Sequence, residues 1–413
     1  MPDWALIRQQ FDLTRIDDPA AAVRAAFAQV DAQRRITPQA SIAITAGSRG
    51  VDAIVPVLRA VAAGVRALGA TPFLSAAMGS HGGATGEGQR EVLRGYGITE
   101  DAVGCEIRSS MDVVALGTTE AGVDVFCDRQ AFESGGIIVV GRVKPHSILT
   151  GDLGSGLLKM SAIGLGKRHG ADALHTKGLQ SNLVAAARVA LARAPIVFGI
   201  ALVENAHDRL ALLEGVPPEE FEAADCRLLA RARAYLPQIP FDPLDVLIVD
   251  EVGKNISGAG MDPNVIGMWR RIGGVPDRSI ARIVALDLTD ESHGNAVGVG
   301  MADIITQRLR SRIDEQATYM NAATSGFLAG AKIPLTLPSA REAIDLACKP
   351  FDPRSARIVR IEDTAHLEYL QVSPALLLDV AADARLEIVA QPCPLQFDAG
   401  GELVPLRPAE REG

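Results

Sequence analysis

An α/β fold in two domains is what this sequence predicts, and three observations carry that prediction. Short apolar, β-branched runs of strand length alternate with longer stretches of helical apolar spacing. Two of the first runs end in the same kind of turn, Gly47-Ser48-Arg49-Gly50 and Gly79-Ser80-His81-Gly82, and each turn leads into a helical stretch. The composition is aliphatic, with 48% hydrophobic residues but only 4% Phe, Trp and Tyr. Such a mixture suits a mostly parallel sheet covered by helices and disfavours a β-sandwich or a disordered chain. At 413 residues the chain is long enough for two or three domains.

Taken in order, a polar N-terminal segment precedes a buried strand at 41–46 (SIAITA). A helix follows over 51–68, weakened by Pro56 and Gly64 and capped by Gly69. The next strand covers 72–78 and the next helix 87–93. The repeated strand, glycine turn and helix are βαβ grammar, whose right-handed crossovers make the strands parallel. Residues 113–127 read as a hairpin about Glu120-Ala121-Gly122. A continuous apolar run opens an interior strand at 137–143, followed by a helix at 181–193, a strand at 195–203 and a helix at 219–235. The Pro-rich stretch 237–243 (PQIPFDP) reads as a linker, so the domains are expected at 1–240 and 241–413. The second domain shows strands at 246–249 and 280–286, a helix near 302–313, a helix near 339–347, and strands at 356–361 and 386–390.

Composition also narrows the function. A net charge of −9 with no basic block argues against a nucleic-acid partner. Five widely spaced cysteines without a CxxC pair indicate neither a disulfide framework nor a thiolate zinc site. The N-terminus carries charge where a signal peptide would be apolar, and the most hydrophobic run, 183–203, is broken by Arg188, Arg193 and Pro195. A cytoplasmic protein with no membrane segment is expected.

The chemistry concentrates in residues 136–175. Three of the seven histidines, His146, His169 and His175, stand there with Lys144, Lys159, Lys167 and Asp152 among glycines. Glycine lets backbone turn tightly and approach a ligand closely, so this loop suits a small-molecule site. Strand ends at 46, 78 and 143 would bring Arg49, His81 and His146 to one edge of the sheet. A single histidine is as readily structural as functional; the shared placement of His81 and His146 beside Gly or Pro at strand ends favours function. Histidine shuttles protons near neutral pH because its ordinary pKa is about 6.5. Two histidines facing each other would suit a racemase or epimerase, where a flat intermediate needs a proton partner on each face. Lys159, in GSGLLKM, has apolar neighbours that would depress its pKa and make it a covalent anchor; the competing reading is a lysine beside a phosphate-binding glycine turn. Neither GxxxxGK[ST] nor GxGxxG is present there. His169 and His175 are six residues apart, off a common helix face, so at most one would bind metal. His207, His293 and His366 are read as non-catalytic.

In combination, TAGSRG, MGSHGG, GRVKPH, GSGLLKM and ADALH occur in the order found in nickel-dependent lactate racemase and related 2-hydroxyacid racemases and epimerases, which this chain resembles from about residue 41 to 175. The resemblance implies a nickel-pincer nucleotide, a nickel-carrying mononucleotide derived from nicotinic acid, installed by separate maturation proteins. By position, Lys159 would hold it covalently as a thioamide and His175 would be the protein ligand to nickel. His81 and His146 would be the paired acid/base residues and Arg49 would orient the substrate, a 2-hydroxy acid such as lactate, a dicarboxylate or a sugar acid. Ser48 and the turn Gly154-Ser155-Gly156 would line the cofactor. Two positions depart from the pattern: Ala46 stands where the family carries Asp, and Ser48 where it carries Thr. The family's C-terminal substrate contacts have no aligned counterpart, and Lys254 is the substitute candidate. The active site would lie in a cleft between the two domains. Two other readings stay open: a dehydrogenase or metal-assisted lyase on the same scaffold without the pincer, and a non-catalytic nickel- or nucleotide-binding protein.

Overall fold

The computed structural model describes residues 3–406. The chain divides into two compact units, one comprising Asp12–Leu236 and the other Met1–Phe11 together with Pro237–Gly413. Its strands run, in order, β1 (Trp4–Gln9), β2 (Ser41–Ala46), β3 (Thr71–Ala76), β4 (Glu106–Arg108), β5 (Val113–Thr118), β6 (Asp124–Asp128), β7 (Gly136–Arg142), β8 (Ile196–Glu204) and β9 (Leu210–Val216). They continue as β10 (Leu244–Val252), β11 (Ile280–Leu288), β12 (Ile304–Thr306), β13 (Leu335–Leu337), β14 (Ile358–Ile361), β15 (Tyr369–Val372) and β16 (Leu386–Cys393).

The unit of residues 12–236 is built on a sheet of order β4-β3-β2-β7-β8-β9. All its pairings are parallel except the last, β8 with β9. Its central strands β2, β7 and β8 are mostly apolar because both faces are covered. Ala43, Ile137 and Val139 point into one core, and their sequence neighbours Ile42, Ile44, Ile138 and Val140 into the other. The expected helix at 51–68 is Ile54–Ala67 and buries Val57, Leu58, Val61, Ala62 and Val65 at helical spacing. Pro56 falls in its first turn, where backbone N–H groups have no helical acceptor to lose. Gly64 is tolerated for a packing reason: a Cβ there would lie 2.7 Å from the ring of Phe27. Strands β5 and β6 form the expected hairpin.

The other unit carries an eight-stranded sheet, β13-β12-β11-β10-β14-β15-β1-β16. Strands β10 to β14 pair in parallel, and β15, β1 and β16 add antiparallel neighbours. Two expectations need correction. The N-terminal segment, assigned to a first domain of 1–240, forms β1 in the C-terminal sheet, with Trp4, Ala5 and Ile7 at most 1% exposed. No local pattern reveals this, since six residues of strand can pair anywhere. The helix expected near 302–313 is instead β12 followed by the short helix Gln307–Arg312, with Thr306 capping that helix through Leu309 N–H. The β-branched pair Ile304-Ile305, buried between neighbouring strands, outweighs the helical spacing. The expected second domain extends to 413, and residues 407–413 lie outside the described part.

Candidate functional site

In the first unit the strand order reverses between β2 and β7: β3 and β4 lie on one side, β8 and β9 on the other. Such a switch point opens a crevice beyond the carboxyl ends of the two strands, where open α/β sheets bind ligands. The opening has a visible cause. The β2–β7 register ends at Ile44 and Ile138. One residue further the hydroxyl of buried Thr45 takes over, accepting from Val140 N–H at 2.8 Å and donating to Val140 C=O at 3.1 Å. Beyond it the backbones part. The turn after β2 carries Ser48 and Arg49, the loop after β7 carries Lys144 and His146, and the turn after β3 carries His81.

The glycine turn at 154–156 is tied to the β7 loop by two backbone bonds between Lys144 and Ser155, at 3.1 and 2.9 Å. Gly154 is required there, because a Cβ would stand 2.7 Å from Lys144 C=O and from a Leu229 methyl. Next comes the helical turn Leu157–Lys159, whose N-terminal N–H groups are received by one buried carboxylate. Asp225 Oδ1 accepts from Leu157 and Oδ2 from Leu158, both at 2.9 Å. Gly156 leaves room for it, since a Cβ there would lie 2.5 Å from both carboxylate oxygens. Burial outweighs these two hydrogen bonds and raises the Asp225 pKa to about 6. Past Lys159 the chain enters a single π-helical turn, Met160–Gly164. Such turns are rare and gather at functional sites.

Four of the expected residues share one electrostatic neighbourhood. Burial, then the charges of Arg49 and Lys144, depress the Lys159 pKa to about 8. Burial, then Arg49 and Lys159, lower that of His81 to about 4, although the residue as a whole is exposed. His175 is lowered by desolvation and then by Lys159, with Asp172 opposing. Among the described residues, no hydrogen bond or ion pair engages Lys159 Nζ or Arg49. The positive charges of Lys159 and Arg49, which no carboxylate among the described residues pairs, would attract an anion. His146 leaves the same sheet edge two residues beyond Lys144, and its Nδ1 accepts from Ile148 N–H at 3.3 Å. Ser48 sits in the Arg49 turn, with its carbonyl accepting from Tyr96 Oη at 3.3 Å.

The remaining residues lie elsewhere. The His169 ring lies against Phe126, with centroids 5.5 Å apart. Lys254 belongs to the other unit, after β10, where Nζ donates to Gly258 C=O at 2.6 Å and Asn321 Oδ1 at 3.1 Å. In that unit Glu362, Asp363 and His366 bring potential ligand atoms within 4.8 Å of one another. Asp363 is already committed to its own turn, accepting from Ala365 and His366 N–H. Beneath the His81 turn lies a buried set, Gln89, Asp128 and Lys167. Sequence reasoning placed Lys167 among the polar residues of 136–175 without a role, and missed Gln89, Asp128 and Asp225.

No family model and no curated protein sequence matches this chain. Among solved structures it is similar to the lactate racemase apoprotein from Thermoanaerobacterium thermosaccharolyticum, with a TM-score of 0.56 and 14% identity over 87% of this chain and 94% of that one. The chain therefore has a two-domain α/β fold of the lactate racemase kind. No helix among the described residues is long and apolar enough to cross a membrane.

Proposed function

We propose that this protein is an isomerase, a racemase or epimerase that inverts the hydroxyl-bearing carbon of a 2-hydroxy acid with a nickel-pincer nucleotide held at Lys159. The observation that carries this reading is the half-buried, unpaired Lys159 amine with its pKa lowered to about 8, set among Arg49, Lys144, His81 and His175. The donor set fits the cofactor. A lysine that loses its proton easily is suited to acylation, a neutral imidazole at His175 is a competent nickel ligand, and a cationic crevice suits a phosphorylated, carboxylated nucleotide. Ser48, Gly154, Ser155 and Gly156 would line its seat. Ala46 in place of the family's Asp removes one acceptor, which favours a substrate other than lactate, a dicarboxylate or a sugar acid.

When bound, the cofactor supplies a reversible hydride acceptor. The residues of the chain handle the rest. A hydrogen on the carbon beside a carboxylate is a poor proton source, so its removal as hydride avoids a dianion. His81, neutral at physiological pH, would take the hydroxyl proton as the 2-keto acid forms, and His146 would serve the opposite face. Arg49 would present its planar pair of donors to the substrate carboxylate or the developing carbonyl. Exchange of the two histidines' roles reverses the reaction.

The test is intact-protein mass spectrometry of wild type and Lys159→Ala from cells carrying the maturation genes, with nickel measured in parallel. A nucleotide-sized adduct present in wild type and absent from the variant, with nickel near one per chain, is the expected result. An unmodified, nickel-free wild type from cells shown to make the cofactor would overturn the reading and leave ordinary dehydrogenase or lyase chemistry.

A further inference from the structure

We propose that Gln89, Lys167 and Asp128 are positioning residues for His81, a buried polar clamp that sets where its ring stands at the end of β3. The inference rests on the reading of His81 as an acid or base. All three side chains are closed to solvent, with Gln89 and Lys167 at 0% exposure and Asp128 at 1%. Lys167 Nζ pairs with Asp128 Oδ2 at 2.8 Å and donates to Ala76 C=O, the last residue of β3. It also donates to Gln89 Oε1 at 3.3 Å. An ammonium can only donate, so it dictates which end of the Gln89 amide faces it. The Nε2 end is thereby turned to the His81 loop, where it donates to Gly79 C=O at 2.9 Å and His81 C=O at 3.4 Å. Asp128 is held in turn by its other oxygen, which accepts from Ala131 N–H at 2.9 Å.

The placement argues for a role beyond stability. A buried ion pair is a poor source of folding energy, and apolar side chains of the same volume often serve as well. What an apolar trio cannot do is hold two carbonyls of a glycine turn. That turn needs holding: Gly79, Gly82 and Gly83 all have positive φ, at 61°, 66° and 64°, in a segment whose glycines favour no single conformation. Lys167 itself adopts φ of 52°, uncommon for a residue with a side chain, to aim its amine at the strand end. The backbone is thus bent in two places to bring this clamp under His81.

The experiment uses Gln89→Glu and Gln89→Met in the full chain. Glutamate still faces Lys167 but cannot donate to the carbonyls of residues 79 and 81 when ionised; methionine fills the space and donates nothing. Folding is checked by circular dichroism. The histidine ring signals are then titrated by NMR, with His81→Gln and His207→Gln used for assignment. In both variants the His81 midpoint should rise by about one pH unit or more towards its ordinary value, while that of His207, in the turn after β8, stays unchanged. An unchanged His81 midpoint in folded variants overturns the clamp, and so does a matching shift of His207, which would mean general loosening. Should neither variant fold, the wild type decides: the Gln89 side-chain amide protons must resist exchange with solvent, and rapid exchange overturns the proposal. The measurement reads ring environment and not turnover. A His81→Gln enzyme with full activity would therefore sink the acid/base reading while leaving the clamp intact.

Discussion

Asp225 shows what a single buried group contributes and what it costs. Its two oxygens receive the N–H groups of Leu157 and Leu158 and so fix the turn that delivers Lys159. Yet its pKa is raised from the ordinary 3.8 to about 6, with burial as the leading cause. A carboxyl with a raised folded-state pKa binds its proton more tightly in the native state than in the unfolded one. Its contribution to stability is therefore full at low pH and is lost as pH rises between about 4 and about 6. Asp225→Asn cannot ionise and lacks this loss. Urea denaturation should show wild type losing stability relative to Asp225→Asn by up to about 3 kcal/mol between pH 4 and pH 7. A difference constant with pH would refute the assignment of a buried carboxylate here. Retaining a charge at such a cost makes sense if the Lys159 turn must be held firmly, and neither Asp225 nor Lys167 favours the fold by charge burial alone.

Among the elements, the end of β2 decides where the crevice opens. Thr45 hydrogen-bonds both to the N–H and to the C=O of Val140 beyond the last regular β2–β7 pair. Thr45→Val keeps the shape but strands two buried backbone groups, which should cost about 1–3 kcal/mol of unfolding free energy in chemical denaturation. Thr45→Ser should recover most of it, and a neutral Thr45→Val would show that the strands part for another reason. The sequence made the local parts of this site legible. Apolar runs ending in Gly-Ser-Arg and Gly-Ser-His mark strand ends, whereas the reversal between β2 and β7 is a matter of sheet order that no local pattern carries. The supporting partners were illegible because they act across long stretches of chain. Gln89 reads as a polar residue on an amphipathic helix, and Asp225 as one acid within Phe221–Tyr235, 67 and 68 residues from the amides it binds. Short strands suffered similarly: β12 has three residues and was absorbed into the helix after it.

At the scale of the whole molecule, the path of the chain makes the two units unequal in independence. Residues 12–236 contain their entire six-stranded sheet and both apolar cores that cover it, with no strand borrowed from elsewhere. The other unit is discontinuous. Its sheet depends on β1, which lies between β15 and β16 and pairs with both. Removing that strand would expose the backbone edges of two neighbours and empty the places of Trp4, Ala5 and Ile7. A polypeptide of residues 12–236 should therefore fold alone, with a cooperative thermal transition and dispersed amide signals. A polypeptide of 237–413 should not, aggregating or melting without cooperativity, whereas joining residues 1–11 to it through a flexible linker should restore a cooperative transition. The decisive comparison is between the last two. If 237–413 folds equally well without residues 1–11, β1 is an accessory edge-filler, and the division of the chain at residue 240 suggested by the Pro-rich stretch describes the folding units better than the strand pairing does.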